Sequence, residues 1–546
     1  MIGGENAETV LKIAYFGFDP LMDCLKLLNE RCDVRYVFTF PGDEYDSSVK
    51  IRAFAAQQGI PCFTEKVTPS RMRMMEEEGI DYLVVGGYIR KIPVSGKIRQ
   101  VNIHPAYLPE GRGAWPMPVA LLKEADSGVT LHKLTEGFDE GDILLQERIP
   151  FDPEDDLETL TDKIRETALG LMEQFLKDPA HYWEAAVPQE VLIRERRCKM
   201  PLYWEEPSQE DMTILPEDTA ERIDRKLKAF RGFGVRYRYQ GLDLIVQEGY
   251  TDQNGMLVPV RFRPAFRDVR LEDRDACEEL RARCHALLSD YNFTDVYCWR
   301  RMLNLKIYRD EDLMVISGSG YIMFPLGTEE KIREFIGGML RLGQQLHFRY
   351  CDEDQKNWLD MHYPGMFSFS CPESDRDYVI GIRDLLTLPG GKRIRRRNDV
   401  HHFEQLDPPP VWERITRENL FHAARLSELA DGPDRDAEKE ALRHFFELGL
   451  KGTLVKQGDR YISYSIISDQ DGKTIQGHFL KCISEERGGY LFTIQSSVRE
   501  FAPEDGFMNL EDDLGHEGLR SFKMSLDPDI IKAYEIRSLC PEDQEA

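Results

Sequence analysis

An α/β architecture that opens with a mostly parallel sheet is what this sequence predicts, on three observations. Apolar, β-rich runs alternate with amphipathic helical ones over residues 12–178. At 546 residues the chain exceeds what one core accommodates, so several domains are expected. Glycine-bearing loops follow the strand-like runs, at the carboxyl ends where ligands of such sheets bind.

The elements follow in order. KIAYFGF (12–18) and VRYVFTF (34–40) are strand-like. SSVKIRAFAAQQG (47–59) reads as an amphipathic helix closed by Gly59, with IPCF the next short strand. DYLVVGGYI (81–89) is a strand that breaks at a glycine pair, and QVNIH follows it. VTLHKL (129–134) and DILLQERIPF (142–151) form a hairpin-like pair across EGFDEG, and the helix 156–178 closes the unit. A proline- and acid-rich stretch marks a boundary near 200–218, after which a Thr-capped helix and two short strands suggest a small β-rich module. Helices and strands mix again from about 270, and 402–416 divides that region. The expected domains are 1–198, 199–268, 269–400 and 401–546.

Bulk properties exclude several classes. No apolar stretch approaches the length that spans a bilayer. The formal net charge of −26 repels phosphate backbones, so extended nucleic acid is not the expected partner. Eleven cysteines, odd in number and without a C-x-x-C pair, fit reduced thiols better than a disulfide framework or a zinc site. The start lacks a basic n-region and the termini lack acylation and prenylation boxes, so a cytoplasmic protein is expected.

The chemistry concentrates in VNIHPAYLPEGRGAWPM (101–117). Asn102 and His104 alternate on a strand, so both face one side where the strand gives way to a Pro- and Gly-rich loop. Acyl transfer to an amine needs a donor for a developing oxyanion and a group that exchanges a proton; an amide and an imidazole supply these. Asp139, in the glycine-flanked loop EGFDEGD, is the carboxylate placed to orient the histidine. Arg112 is read as a loop brace or a substrate anchor, and His132 as packing or a mild substrate contact.

These residues carry a resemblance. N-I-H-P-A-Y-L-P-E-G-R-G followed by G-V-T-L-H-K-L-T-E-G-F-D-E-G-D resembles the folate-dependent formyltransferases, which include methionyl-tRNA, glycinamide ribonucleotide and amino-sugar formyltransferases. The likeness covers the first two hundred residues and implies a Rossmann-like sheet with Asn102, His104 and Asp139 as catalytic trio. The family's serine after H-P is Ala106 here. The resemblance also implies 10-formyltetrahydrofolate as donor, its flat ring lying against Gly86, Gly87, Tyr88 and Ile89 and the loop bearing Phe138, Glu140 and Gly141. TAERIDRKLKAFRGFGVRYRYQGLDLIV looks like the small C-terminal β module of these enzymes, in shortened form that transfers no substrate contacts.

In the second half, LPGGKRIRRRN crowds Lys392, Arg393, Arg395, Arg396 and Arg397 before Asn398. So dense a basic run in an acidic chain suggests an anionic ligand, with a solvated helix face as the alternative. Together with DYNFTDVYCWR (290–300), YIMFPLG (321–327), LGLKG (448–452) and NLEDDLGHEGLRSFKMSLDP (509–528), it resembles the C-terminal domain of phosphatidylglycerol lysyltransferase. That family has two tandem GNAT-like lobes. Where it carries an H-x-E-K-A strand, this chain has His478-Phe479-Leu480-Lys481-Cys482, without the carboxylate. The implied donor is acyl-CoA or aminoacyl-tRNA, although no pyrophosphate-binding loop is evident.

The expectation is a bifunctional fusion. Its first part formylates a primary amine of a small molecule, an amino sugar or an amino-acid-like compound, and its acyltransferase-like second part acts on the same product. Methionyl-tRNA formylation, formyltetrahydrofolate hydrolysis and a non-enzymatic scaffold are the alternatives. The acceptor's identity and the oligomeric state are not legible.

Overall fold

The computed structural model describes residues 10–41, 47–196, 198, 200–310, 312–429, 432 and 434–539. The termini that bear on leader and lipidation motifs, 1–9 and 540–546, lie outside them. Two compact units are present: 1–239 with 243–263, and 240–242 with 264–546.

The first unit is built on strands β1 (Lys12–Gly17), β2 (Asp33–Phe38), β3 (Cys62–Phe63), β4 (Tyr82–Gly86), β5 (Arg99–His104), β6 (Ser127–Lys133) and β7 (Ile143–Ile149). They form one sheet in the order β3-β2-β1-β4-β5-β6-β7. Strands β1 to β5 are mutually parallel and β6 and β7 antiparallel, the predicted α/β class. Helices α1 (Met22–Arg31), α2 (Val49–Gln58), α3 (Pro69–Glu77) and α4 (Pro116–Lys123) fill the connections, and α5 (Leu157–Phe175) packs on β6 and β7. Strand β3 is shorter than expected, since Pro61 has no N–H to donate to a ladder. Ile13, Tyr15, Val84, Val101 and Ile103 are among the buried strand residues, and Phe16 stacks on Phe38 with ring centroids 4.3 Å apart. Burying a phenylalanine contributes roughly 1.5–3 kcal/mol. That outweighs a surface ion pair, worth about 0–1 kcal/mol.

Strand order reverses between β1 and β4, which puts a crevice over their carboxyl ends. Beyond the sheet, α6 (Pro179–Glu184) and α7 (Gln189–Arg196) follow, then α8 (Ala220–Ala229), N-capped by Thr219 as its sequence predicts. Strands β8 (Val235–Tyr239), β9 (Leu242–Thr251) and β10 (Leu257–Pro264) form a separate sheet.

The second unit holds two sheets, of eight and seven strands. They do not follow one another along the chain. The strand Tyr534–Ser538 returns to the first sheet, and Asp377–Gly381 already belongs to the second. The expected boundary at 400 therefore falls inside a helix, Ile394–Glu404. A linear reading misses it because local patterning does not report an exchange of strands between sheets. Among the described residues no helix is long and apolar enough to cross a membrane, and all ten described cysteines are free.

Candidate active site

Strand β5 delivers Asn102 and His104 to the crevice, and its antiparallel partner β6 adds a third polar side chain. The register sets Asn102 opposite His132 and His104 opposite Thr130. Thr130 Oγ1 donates to the Ala106 carbonyl at 2.7 Å and accepts from Leu108 N–H, pinning the loop after H-P.

Asp139 reaches this pair from the loop between β6 and β7. It has a left-handed backbone (φ 56°), which an aspartate tolerates better than most residues. Its Oδ2 accepts from Gly113 N–H at 3.0 Å, and its Oδ1 accepts from Asn102 Nδ2 at 3.3 Å. The same Oδ1 lies 3.4 Å from His104 Nδ1 and 3.5 Å from His132 Nε2. Gly141, at the loop's end, passes so close to the chain that an added Cβ would sit 1.7 Å from the Lys133 carbonyl oxygen. From below, Gln189 Nε2 donates to the carbonyls of Asp139 and Gly141, both at 2.8 Å. Arg112 donates in turn to Gln189 Oε1. Arg112 is buried and acts as a brace.

Backbone carbonyls fix the histidine tautomers, because they can only accept. His104 Nε2 donates to the Gly111 carbonyl at 2.8 Å, which leaves Nδ1 as the atom where the ring gains or loses charge. His132 Nδ1 donates to the Lys133 carbonyl at 2.8 Å, so its Nε2 accepts from Asn102 Nδ2 at 3.1 Å. Burial pushes the His104 imidazole below its ordinary value, against the opposing pull of Asp139 and the Gly111 carbonyl. Burial works against the Asp139 charge, but the two histidines and Gly113 N–H outweigh it and draw the carboxyl down to about 2. The resting site is a neutral imidazole beside an ionised carboxylate.

A cavity of about 1630 Å³ opens from this group. Its walls include Phe18, Trp115 and Phe233, together with Gly87, Tyr88, Ile89 and Phe138. Ile89 and Phe138 are 77% and 64% exposed, apolar surfaces facing open space. Gly87 has φ 84°, and a Cβ there would fall 1.9 Å from the Phe18 ring, so the turn after β4 requires glycine. Three residues expected beside the donor, Gly86, Glu140 and Gly141, are not among those that line the cavity. A side chain on Gly86 would clash with Tyr15, so it is a packing position; Glu140 accepts at 2.5 Å from the hydroxyl of Tyr203, which is itself on the cavity wall; Gly141 packs on Lys133.

Sequence reasoning understated His132. Its signal was the alternation of Thr130 and His132, but only the β5–β6 register reveals that these face Asn102 and His104. Gln189 carried no sequence signal at all.

The basic run of the second unit does not assemble into one anion site. Lys392 pairs with Asp527 at 2.8 Å, and Arg393 is buried, bonded to Asp384 and to the carbonyls of Leu526 and Asp527. Arg396 donates to Ser525 and lies over the Phe522 ring, and Arg397 donates to the Leu388 carbonyl. Arg395 and Asn398 are exposed. The expectation of a shared anion site is corrected accordingly: crowded cations relieve mutual repulsion by bonding to chain carbonyls and acids instead of waiting for a ligand.

A family profile described as formyl transferase matches residues 31–176, and one described as phosphatidylglycerol lysyltransferase, C-terminal, matches residues 281–537. A methionyl-tRNA formyltransferase of Ehrlichia ruminantium (strain Welgevonden) is 35% identical over 216 residues, 37% of this chain and 66% of that protein. The chain spans from 32% to 68% of the length of such curated relatives, and 66% of the one just described. A conserved protein of unknown function from Bacteroides thetaiotaomicron overlaps 50% of this chain and 99% of its own, at 22% identity and TM-score 0.46. A sugar N-formyltransferase from a Shewanella species overlaps 46% and 98%, at 15% identity and TM-score 0.34. The first match lies within the first compact unit and the second within the other. The chain joins a formyl transferase domain to a phosphatidylglycerol lysyltransferase C-terminal domain.

Proposed function

We propose that this protein moves a formyl group from 10-formyltetrahydrofolate to the primary amine of a small-molecule acceptor, an amino sugar or an amino-acid-like compound. The observation that carries this reading is the convergence of Asn102, His104 and Asp139 at the wall of the large cavity. The exposed faces of Ile89 and Phe138 beside the open Gly87 backbone fit a flat heteroaromatic ring. The bound folate supplies the formyl carbon. Asn102 Nδ2 donates to the oxygen that gains charge, exchanging one of its two resting partners, Asp139 or His132, for the substrate. His104 Nδ1 takes the proton that the amine loses and passes it to the folate nitrogen as that nitrogen's bond to the formyl carbon breaks and tetrahydrofolate leaves, while the Asp139 charge 3.4 Å away stabilises the imidazolium. Gln189 and Arg112 keep the loop in place. In the same reading, the C-terminal domain acts on the formylated product with acyl-CoA or aminoacyl-tRNA as donor.

The test is to follow tetrahydrofolate release from 10-formyltetrahydrofolate with an amino-sugar nucleotide, a free amino acid, charged initiator tRNA, or no acceptor. Release dependent on a small amine supports the reading. Release with tRNA alone makes the chain a tRNA formyltransferase, and equal release without acceptor makes it a hydrolase.

A further inference from the structure

Three motifs of the second half play no part in formyl transfer: DYNFTD, His478 of HFLKC, and NLEDDLG. The fold brings them together. We propose that Asp295, His478 and Glu511 form a binding site for a divalent first-row transition cation. One donor atom from each lies within 4.8 Å of the others. His478 Nδ1 is 2.9 Å from both Asp295 Oδ1 and Glu511 Oε1. One imidazole and two carboxylates are a donor set for zinc, manganese or iron.

The backbone is diverted to make this arrangement. The strands Arg460–Asp469 and Thr474–Cys482 pair Ile466 with Phe479 and Ile467 with Gly477, so His478 is the extra residue of a β-bulge. Thr474–Cys482 also runs parallel to Phe507–Asn509, with Gln476 opposite Asn509 as the last pair. His478 and Glu511 therefore project just where the two strands part.

The surrounding shell is that of a ligand set. The far ring nitrogen of His478 meets Ser468 Oγ at 2.8 Å, the contact that orients a metal-bound imidazole. Gln476 Nε2 donates to Asp295 Oδ2 at 2.5 Å and to Glu511 Oε1 at 2.9 Å. Asn292 Nδ2 donates to both Ser468 Oγ and Gln476 Oε1, so every shell residue is itself held. The His478 side chain is fully buried, while those of Asp295 and Glu511 keep 13% and 20% exposure, leaving a way in on the carboxylate side.

Charge points the same way. Five acids gather here: Asp295 and Glu511 meet at His478 Nδ1, the buried Asp377 accepts from Ser289 and Asn509, and Asp290 and Asp512 adjoin Ser289 and Glu511 in the chain. Against these five acids stand His478 and Lys523, and the Lys523 ammonium is already spent on the carbonyls of Leu510, Glu511 and Asp512. A dication removes that surplus of buried negative charge.

The full-length chain, dialysed against a chelator, is titrated calorimetrically with ZnCl2, MnCl2 and CoCl2, and the cobalt form is read by its visible absorption. One equivalent bound per chain is expected. Asp295→Asn and Glu511→Gln, which keep side-chain shape, should each weaken it about 10–100-fold with unchanged melting of the metal-free protein. His104→Ala should leave it unchanged, which separates this cluster from the histidines of the formyl site. No binding of any of the three metals at millimolar concentration would overturn the proposal. So would affinity that both carboxylate variants retain, or uptake of ethylammonium, abolished by those variants, without uptake of metal.

Discussion

Two buried histidine–carboxylate groups stand among the described residues, one in each unit, and they rest in opposite charge states. In the N-terminal unit His104 shares the Asp139 carboxylate with His132, and burial pushes it below the ordinary imidazole value. In the C-terminal unit His478 stands between two carboxylates, Asp295 and Glu511. Their attraction overcomes burial and raises it to about 10. The ratio of acids to imidazoles decides: one acid for two rings leaves a ring neutral and ready to take a proton, whereas two acids for one ring hold a cation in place. Surroundings follow suit. The first group opens onto a cavity of about 1630 Å³ suited to substrates, while the second is closed in by Ser468, Gln476 and Asn292.

The largest expected effect breaks the first group. His104→Ala and Asn102→Ala should each lower formyl transfer about 10²–10³-fold, measured as turnover at saturating substrates with melting temperature unchanged. Asp295→Asn should leave that turnover within about twofold, since it belongs to the other group; a loss comparable to that of His104→Ala would erase the distinction.

A pH profile sharpens the comparison. In the proposed mechanism the neutral form of His104 is the working base, so kcat/KM should be retained at high pH and lost as pH falls through the His104 pKa. Burial lowers that pKa, so the acid limb should lie below the ordinary imidazole value of 6.5. The midpoint of kcat/KM between pH 4.5 and 8 checks this; a midpoint above 6.5 would contradict it.

Smaller effects follow from the braces. Gln189→Ala frees the Asp139 loop and takes from the buried Arg112 guanidinium the acceptor of two of its N–H groups, for a loss of about 1–3 kcal/mol in stability and about 10-fold in turnover. Denaturant unfolding and steady-state kinetics measure the two. In the basic run, Arg393→Gln removes three hydrogen bonds of a buried side chain and should destabilise the second unit, whereas Arg395→Gln on the surface should stay within about 0.5 kcal/mol.

Much of the first unit was legible from the sequence. The alternation of VTLHKL and KIAYFGF with amphipathic helices is a local property, and N-x-H with the G-F-D-E-G loop is a local arrangement of side chains. What escaped depends on pairing between distant strands. His132 joins the site only through the register that sets it opposite Asn102, and Gln189 lies 50 residues beyond the Asp139 carbonyl it holds. In the second unit the same limit is more severe. The sheets exchange strands, and Asp295, His478 and Glu511 come from segments 183 and 33 residues apart. The basic run misled because charge density is visible in a sequence while the carbonyls and acids that satisfy it are not.

The most direct test of the central claim is Asp139→Asn. The substitution keeps the shape of the side chain and removes the charge beside His104 and His132. Turnover of 10-formyltetrahydrofolate with its amine acceptor should fall at least about 100-fold, while folate affinity, read by calorimetry, stays within about threefold. Full turnover in that variant would contradict the assignment of the trio.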